Sequence, residues 1–395
     1  MSMHTRGTAS RLARFGESVF SRISRLATAH GAVNLGQGFP NFDAPDFVKR
    51  AGMQAIQGGA NQYARAQGLP ALNAAIARRF ERDQGVAADA ESQITVTSGC
   101  TEALVAVMMG LVEPGDEVVL VEPFYDSYPA AVAMAGGVVR SVRLQPPDFR
   151  LPIEALDASI TPRTRLILIN SPHNPTGRVL DAAELEGVAA VSRAADCLVV
   201  SDEVYEHIWY ERPHRSIAAL PGMADRTIVL SSLGKTFSVT GWKIGWAIAP
   251  PHLTAGIRAA HQFITFCSAT PFEVAAAQAL DAGPDYFDGL RSAYGQRRDA
   301  MLEALRHAGL NPFTPEGSYF ALADISTLGT DEPVCERMIR EVGVACIPCS
   351  PFYLPESPER RLVRFAFCKD LDTIHEAGRR LKAGLGAIAS AAGSC

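Results

Sequence analysis

The 395-residue chain has no long apolar run. Stretches such as Val118 to Val121 and Leu166 to Ile169 are strand-sized, and none approaches the roughly 18 to 20 residues of a membrane-spanning helix. Charge of one sign is also lacking. The 37 basic and 42 acidic residues leave a net charge of −5, which gives neither nucleic acid nor an anionic membrane an electrostatic hold. Cysteine is sparse, eight in all and without framework spacing, so a disulfide scaffold is excluded. Cys346-Ile-Pro-Cys349 is a lone CxxC; no second pair or His cluster completes four ligands, and it reads as packed thiols in a reducing cytoplasm. Internal repeats are absent, and the one biased segment is an Ala/Gly-rich tail after Leu381.

What is present is an ordinary globular composition, 47% hydrophobic and 20% charged, long enough for about two to three domains. The first thirty residues carry Arg6, Arg11, Arg14, Arg22 and Arg25 against the single acidic Glu17. That pattern resembles a mitochondrial presequence. It equally fits an N-terminal arm with a short amphipathic helix whose face is Val19, Ile23 and Leu26, and a cytoplasmic protein is the favoured expectation.

From about Gln93 to Pro250, short β-branched runs alternate with longer helical patterns. Strands are expected at Ile94–Thr97, Glu117–Val121, Arg165–Ile169, Cys197–Ser201, Thr227–Ser231 and Ile244–Ala249, with helices such as Thr101–Val112 and Ala182–Ala195 between them. Continuous apolar strands separated by helices imply an α/β fold, a mostly parallel sheet covered on both faces. After about Ala282 the pattern changes to an amphipathic helix (Tyr286–Ala308) and short strands (Tyr319–Ala323, Val344–Ile347, Leu362–Ala366), a smaller α+β unit. The extended segment Ala32–Leu35 has no sheet nearby in sequence and is expected to pack with that second unit.

Open α/β sheets bind ligands at the carboxyl ends of their strands, so the residues just after each strand are the ones to inspect. Ser98-Gly-Cys-Thr101 opens a helix, where free N–H groups and the dipole suit a phosphate, although many β-turn-α joints read the same. Asn170-Ser-Pro-His-Asn-Pro-Thr-Gly177 is a pinned loop presenting Asn174. Asp202-Glu-Val-Tyr205 offers a carboxylate for a cationic heterocycle, or simply a helix cap. Ser232-Leu-Gly-Lys-Thr236 invites a P-loop reading, but the first glycine of that motif would fall on Val229, inside an apolar strand. Gly36-Gln-Gly-Phe-Pro-Asn41 lacks the third glycine and the βαβ setting of a dinucleotide loop.

Each segment alone is weak; their joint order is specific. Asn34-Leu-Gly-Gln-Gly-Phe-Pro40, Asn61-Gln-Tyr63, Asn174-Pro-Thr-Gly177, Ser201-Asp-Glu-Val-Tyr205, the run Ser232 to Gly245 and Arg364-Phe-Ala-Phe367 follow one another as in fold-type-I pyridoxal-phosphate-dependent aminotransferases of class I/II. The resemblance spans about residues 18 to 385. It implies an N-terminal arm with part of the small domain (1–44), a large cofactor-binding domain (45–284) and a C-terminal small domain (285–395).

By that resemblance Lys235 is the amine that holds the pyridoxal 5'-phosphate and shuttles the proton, a role only a basic side chain can fill. Asp202 would pair with the pyridinium nitrogen and keep the ring an electron sink. Tyr205 and Asn174 would bond the ring oxygen. The backbone of Cys100 and Thr101, with Ser232 and Lys243, would hold the phosphate, and Tyr63 would reach it from a second subunit of a homodimer with shared active sites. Lys243 stands where many relatives have Arg, yet a lysine still neutralises phosphate as a point charge. Tyr125, or its neighbour Phe124, would stack on the ring. Arg364 would fork onto the substrate carboxylate, assisted by Gly38 and Asn174.

The nearest subgroup comprises methionine, glutamine-K and kynurenine aminotransferases, and the segments Tyr125–Tyr128, Leu144–Arg150, Asp202–Ile208 and His261-Gln262 are most similar to the bacterial methionine enzyme. Phe20 and Phe266 would line the side-chain pocket. Cys267 replaces a His of kynurenine-type enzymes, which argues against kynurenine as the main substrate. The expected function is therefore transfer of the α-amino group of methionine, or a related apolar or aromatic amino acid, to a 2-oxo acid. The alternatives on the same scaffold are a kynurenine- or glutamine-type transaminase and a cysteine-conjugate β-lyase. No metal is expected.

Overall fold

The computed structural model describes residues 7–356 and 358–392; Arg6, from the arginine-rich start, lies outside them. The arm forms α1 (Val19–Ala29), capped by Ser18, whose Oγ accepts the Phe20 N–H at 3.2 Å, and then β1 (Val33–Asn34). Val19, Ile23 and Ala27 make the buried face of α1. Leu26, expected there, is only half-buried, because the buried row follows a strict i, i+4 spacing.

The chain continues through α2 (Asp46–Gln57), α3 (Pro70–Gln84), β2 (Ile94–Thr97), α4 (Cys100–Leu111), β3 (Glu117–Glu122) and α5 (Ser127–Ala135). Next are β4 (Val138–Arg143), α6 (Ile153–Ala158), β5 (Thr164–Asn170), α7 (Ala182–Ala194) and β6 (Leu198–Asp202). Then come β7 (Thr227–Ser232), α8 (Leu233–Thr236), β8 (Gly245–Ile248), α9 (Pro251–Ile264) and α10 (Thr270–Leu280). The last part holds α11 (Pro284–His307), β9 (Asn311–Pro312), β10 (Phe320–Asp324), α12 (Asp331–Arg337), β11 (Val344–Ala345), β12 (Ile347–Pro348), β13 (Leu362–Ala366) and α13 (Leu371–Ala392).

Seven strands form the central sheet in the order β2-β8-β7-β6-β5-β3-β4. All neighbours are parallel except β8, which runs antiparallel to both β2 and β7. Side chains alternate between two cores: Val118, Leu120, Leu166, Leu168 and Val200 enter one with α4 and α9, while Val119, Val121, Ile167, Ile169 and Val199 enter the other. Burial on both faces is why these strands read as unbroken apolar runs. Edge strand β4 escaped the sequence reading for the opposite reason, since exposed Val138 and Arg140 alternate with half-buried Val139 and Ser141, and the polar residues interrupt any apolar run.

The C-terminal part has its own antiparallel sheet, β12-β13-β10-β9. As expected from its isolation, β1 joins this part: it pairs in parallel with β11, Val33 opposite Val344. No helix among the described residues is long and apolar enough to cross a membrane.

Candidate active site

The carboxyl ends of β5, β6 and β7 open into a cavity of about 450 Å³, bounded across the gap by the arm and by β10 and β13. Asn170 ends β5, Asp202 ends β6 and Ser232 ends β7; the parallel register places Asn170 opposite Asp202, and Asp202 opposite Leu230, two residues before Ser232. Asp202 is thus a strand-end carboxylate and not a helix cap.

Asp202 is buried. Its Oδ2 accepts the Tyr128 hydroxyl at 2.7 Å and its Oδ1 the Val204 N–H at 3.2 Å. Burial pushes the carboxyl above its ordinary range, and the bond from Tyr128 opposes that rise. The Cys100 thiol also faces Asp202 and is itself pushed up by burial and by that carboxylate. Lys235, in α8, points its Nζ between the rings of Tyr205 and Tyr319, 5.8 and 5.7 Å from their centroids. Desolvation lowers its pKa, with Lys243 and Arg364 adding repulsion while Asp202 pulls the other way.

Asn170 braces the adjoining loop. Its Nδ2 donates to the Asp202 carbonyl at 2.8 Å and its Oδ1 accepts the Asn174 N–H at 2.7 Å. Asn174 Oδ1 in turn accepts Arg364 Nη1 at 2.9 Å, and Arg364 Nη2 donates to the Gly36 carbonyl at 3.0 Å. Arg364 is almost wholly buried, over the ring of Phe320 at 4.0 Å, and its Nε is left with no hydrogen-bond partner. A buried guanidinium with an unanswered N–H is a receptor for an anion. Gly38 also lines the cavity, but its carbonyl is taken by the Tyr319 hydroxyl at 2.6 Å.

At the other end lies the N-terminus of α4. Gly99 (φ 79°) caps the helix, and a Cβ there would meet Lys243 Nζ at 3.0 Å. A Cβ at Gly245 would strike the Cys100 amide nitrogen at 2.5 Å. Backbone N–H groups, a helix dipole and a lysine converge on one narrow cup with no room for additional carbon.

Of the residues expected from sequence, the cavity brings together Phe20, Gly38, Cys100, Thr101, Tyr125, Asn174, Asp202, Tyr205, Ser232, Lys235, Lys243 and Arg364. Phe124, the other candidate for stacking, is buried in the core. Tyr63 and Phe266 do not reach the cavity of their own chain. Phe266 sits at φ 71° in the turn after α9, which throws it outward, and its ring meets that of the 86% exposed Tyr63 at 5.5 Å. Tyr128, Asn170, Gln37 and Phe320 line the cavity without having been singled out. The available signal for Tyr128 was its place three residues after Tyr125, across the turn that opens α5.

The chain matches the family described as aminotransferase class I and II over residues 31–381. It is a class I and II aminotransferase. This aminotransferase is 46% identical, over 95% of its length and 98% of the relative's, to a probable N-succinyldiaminopimelate aminotransferase of Mycobacterium tuberculosis. It is 41% identical to the methionine aminotransferase of Escherichia coli, over 94% of this chain and 97% of that one. The solved structure of the M. tuberculosis N-succinyldiaminopimelate aminotransferase superposes with a TM-score of 0.93 at 46% identity, covering 95% and 100% of the two chains.

Enzymes of this family use pyridoxal phosphate, and the residues present fit it. The cavity holds one buried amine of lowered pKa, one buried carboxylate and a tight N–H cup flanked by a lysine. Among the described residues no group of three or more His, Cys, Asp or Glu is arranged to hold a metal ion.

Proposed function

We propose that this aminotransferase takes the α-amino group from methionine, or a related apolar or aromatic amino acid, and delivers it to a 2-oxo acid. The observation that carries this reading is the fate of the arm's arginines. A dicarboxylate side chain needs a second cation, and Arg22 and Arg25 are the nearest in sequence to Phe20. Arg22 is bound to Glu332 at 2.9 Å and Glu336 at 3.2 Å, and Arg25 is paired with Glu17. What remains beside Arg364 is aromatic: Phe20, Phe39, Tyr125 and Phe320. Burying a methionine or phenyl side chain there contributes roughly 1.5 to 3 kcal/mol.

In this reading the Cys100 and Thr101 N–H groups, Ser232 and Lys243 would hold the cofactor phosphate, and Tyr125 would cover the ring. Tyr205 and Asn174 would bond its oxygen, and Asp202 would keep its nitrogen protonated. The bound cofactor supplies an electron sink for the pair released at the substrate Cα. Arg364 fixes the substrate carboxylate, so that the Cα–H bond is aimed at Lys235 Nζ. The lowered pKa of Lys235 raises the fraction of neutral amine able to take that proton.

The same reading makes the enzyme a homodimer. Tyr63 and Phe263 are each 86% exposed, with Met109, Ile264 and Phe266 exposed near them, more apolar surface than a lone subunit normally shows to water. Tyr63 would complete the partner's phosphate site. We place the enzyme in the reducing cytoplasm, since the seven described cysteines are free thiols, Cys335 and Cys346 with sulfurs only 3.3 Å apart.

The deciding experiment is kcat/KM for methionine, phenylalanine, aspartate and N-succinyldiaminopimelate with one oxo-acid acceptor. Methionine or phenylalanine is expected to exceed aspartate about ten- to a hundredfold. Preference for N-succinyldiaminopimelate, whose further carboxylates need a cation, would transfer the assignment to that substrate. Light scattering at assay concentration checks the dimer; a fully active monomer would exclude the shared site.

A further inference from the structure

A buried histidine outside the cavity joins three features described above. His261, in α9, has no exposed surface. Its Nε2 lies 2.6 Å from the carbonyl oxygen of Ala66 and its Nδ1 2.6 Å from Glu102 Oε1. A carbonyl oxygen only accepts, so Nε2 carries a hydrogen. Glu102 receives two other donors: the Ser98 N–H on Oε2 and the Thr265 hydroxyl on Oε1 at 2.8 Å. Both Glu102 oxygens therefore act as acceptors, and the short Nδ1–Oε1 contact is answered by a hydrogen on Nδ1 as well.

We propose that His261 is held as an imidazolium and is a positioning residue that neutralises Glu102 in the first turn of α4, making that helix end receptive to an anion while pinning the segments that carry Tyr63 and Phe266. This rests on the reading that the α4 N-terminus takes the cofactor phosphate. An uncompensated carboxylate in that turn would repel a phosphate from the same N–H groups. His261 supplies the missing charge from inside the protein, leaving Lys243 free to face the ligand.

The other charged group facing the ring is Glu273 of α10, whose Oε2 accepts the Leu69 N–H at 2.8 Å. Burial works against the imidazolium, but the hydrogen bond and charge of Glu102, with the charge of Glu273, hold the His261 pKa above its ordinary value. The mechanical side is equally direct. Ala66 lies three residues beyond Tyr63, and the N–H groups of Thr265 and Phe266 both bond to the His261 carbonyl, at 3.1 and 3.2 Å. That closes the turn in which Phe266 holds its positive φ. Ser98 Oγ further contacts Ser268 Oγ at 3.2 Å. The His261 side chain thus ties the phosphate cup to the segment that carries Tyr63, and the Glu102 carboxylate that it faces holds the Thr265 hydroxyl beside Phe266.

The test compares loss of pyridoxal phosphate from the diluted holoenzyme, followed by its visible absorbance, in wild type, His261→Gln, the double variant His261→Gln/Glu102→Gln, and Lys243→Ala. His261→Gln should lose the cofactor roughly tenfold faster or more and should dissociate into subunits at higher protein concentration. The double variant, in which no carboxylate is left to neutralise, should regain most of the cofactor affinity, a rescue that a purely space-filling role would not produce. His261→Gln within twofold of wild type, or a double variant no better than the single, overturns the proposal. If Lys243→Ala retains cofactor like wild type, the phosphate is not at α4, and that reading fails together with this one; if Lys243→Ala loses it and His261→Gln does not, this inference alone fails. Should His261→Gln not fold, ring ¹⁵N spectra of histidine-labelled wild type decide: both His261 nitrogens protonated at neutral pH supports the imidazolium, and a single protonated nitrogen overturns it.

Discussion

Tyr128 donates its hydroxyl hydrogen to Asp202 Oδ2 at 2.7 Å, from the first turn of α5 to the end of β6. This bond fixes the carboxylate plane while Oδ1 is held by the Val204 N–H. Tyr128→Phe keeps the ring packed and removes only the donor. A lost hydrogen bond to a charged group costs about 1.5 to 3 kcal/mol, and here the cost falls on orientation, not on charge. The variant should therefore retain bound cofactor and lose about tenfold in kcat with methionine. Asp202→Asn, which cannot keep the ring nitrogen protonated, should lose considerably more. Steady-state kinetics of the two variants side by side check the ranking.

Lys235→Ala should abolish turnover while the protein still binds pyridoxal phosphate. The helix-end cup and the ring contacts remain, but the buried amine of lowered pKa poised between Tyr205 and Tyr319 is gone. Rapid-mixing spectra with amino acid are expected to show substrate binding without conversion. Transamination within about tenfold of wild type would remove Lys235 from its assigned role.

Gly245→Ala tests the cup by crowding it. The added methyl meets three backbone atoms of Gly99 and Cys100 at 2.5 to 2.8 Å, and backbone cannot swing aside as a side chain can. Overpacking of this kind costs about 1 to 3 kcal/mol, and the displaced atoms include the Cys100 N–H. Cofactor affinity should fall at least tenfold, with a lower melting temperature, as measured by cofactor titration and thermal unfolding.

Glu117 offers a pH-dependent test far from the site. Hydrogen bonds from Arg140 first, then Arg163 and Thr161, hold its carboxyl down at about 2. A pKa depressed in the folded state gives stability that is present above the unfolded carboxylate pKa of about 4.3 and is lost as pH falls through the folded value. Arg140 and Arg163 are 46% and 69% exposed, so screening reduces the effect to about 1 kcal/mol. Glu117→Gln should be less stable than wild type near neutral pH, and the gap should shrink on acidification below about pH 4. Urea unfolding at several pH values measures it.

Strand ends account for much of what was legible in advance. Asp202 and Ser232 each end an apolar run that two-sided burial makes unmistakable. Arg364 sits in β13, whose bounds were read from its residues alone. Positions whose partner is distant in sequence were not singled out: Tyr128 acts through Asp202, 74 positions further along the chain. Likewise nothing local in the sequence announces the positive φ that turns Phe266 away from its own chain's cavity and against Tyr63. The ion pairs of Arg22 join residues over three hundred positions apart, beyond the reach of any local periodicity.

The pairing of β1 with β11 has a consequence for biosynthesis. Val33 and Val344 are partners in one ladder, and Arg364 leans on the Gly36 carbonyl just beyond it. The arm emerges from the ribosome about three hundred residues before the strand it must join. Throughout translation its apolar row Val19, Ile23 and Ala27 has no seat, while the central sheet can already assemble behind it. Arg364 acquires its backbone anchor on Gly36 only after this late docking, so a nascent chain with a folded central sheet still has an unfinished cavity.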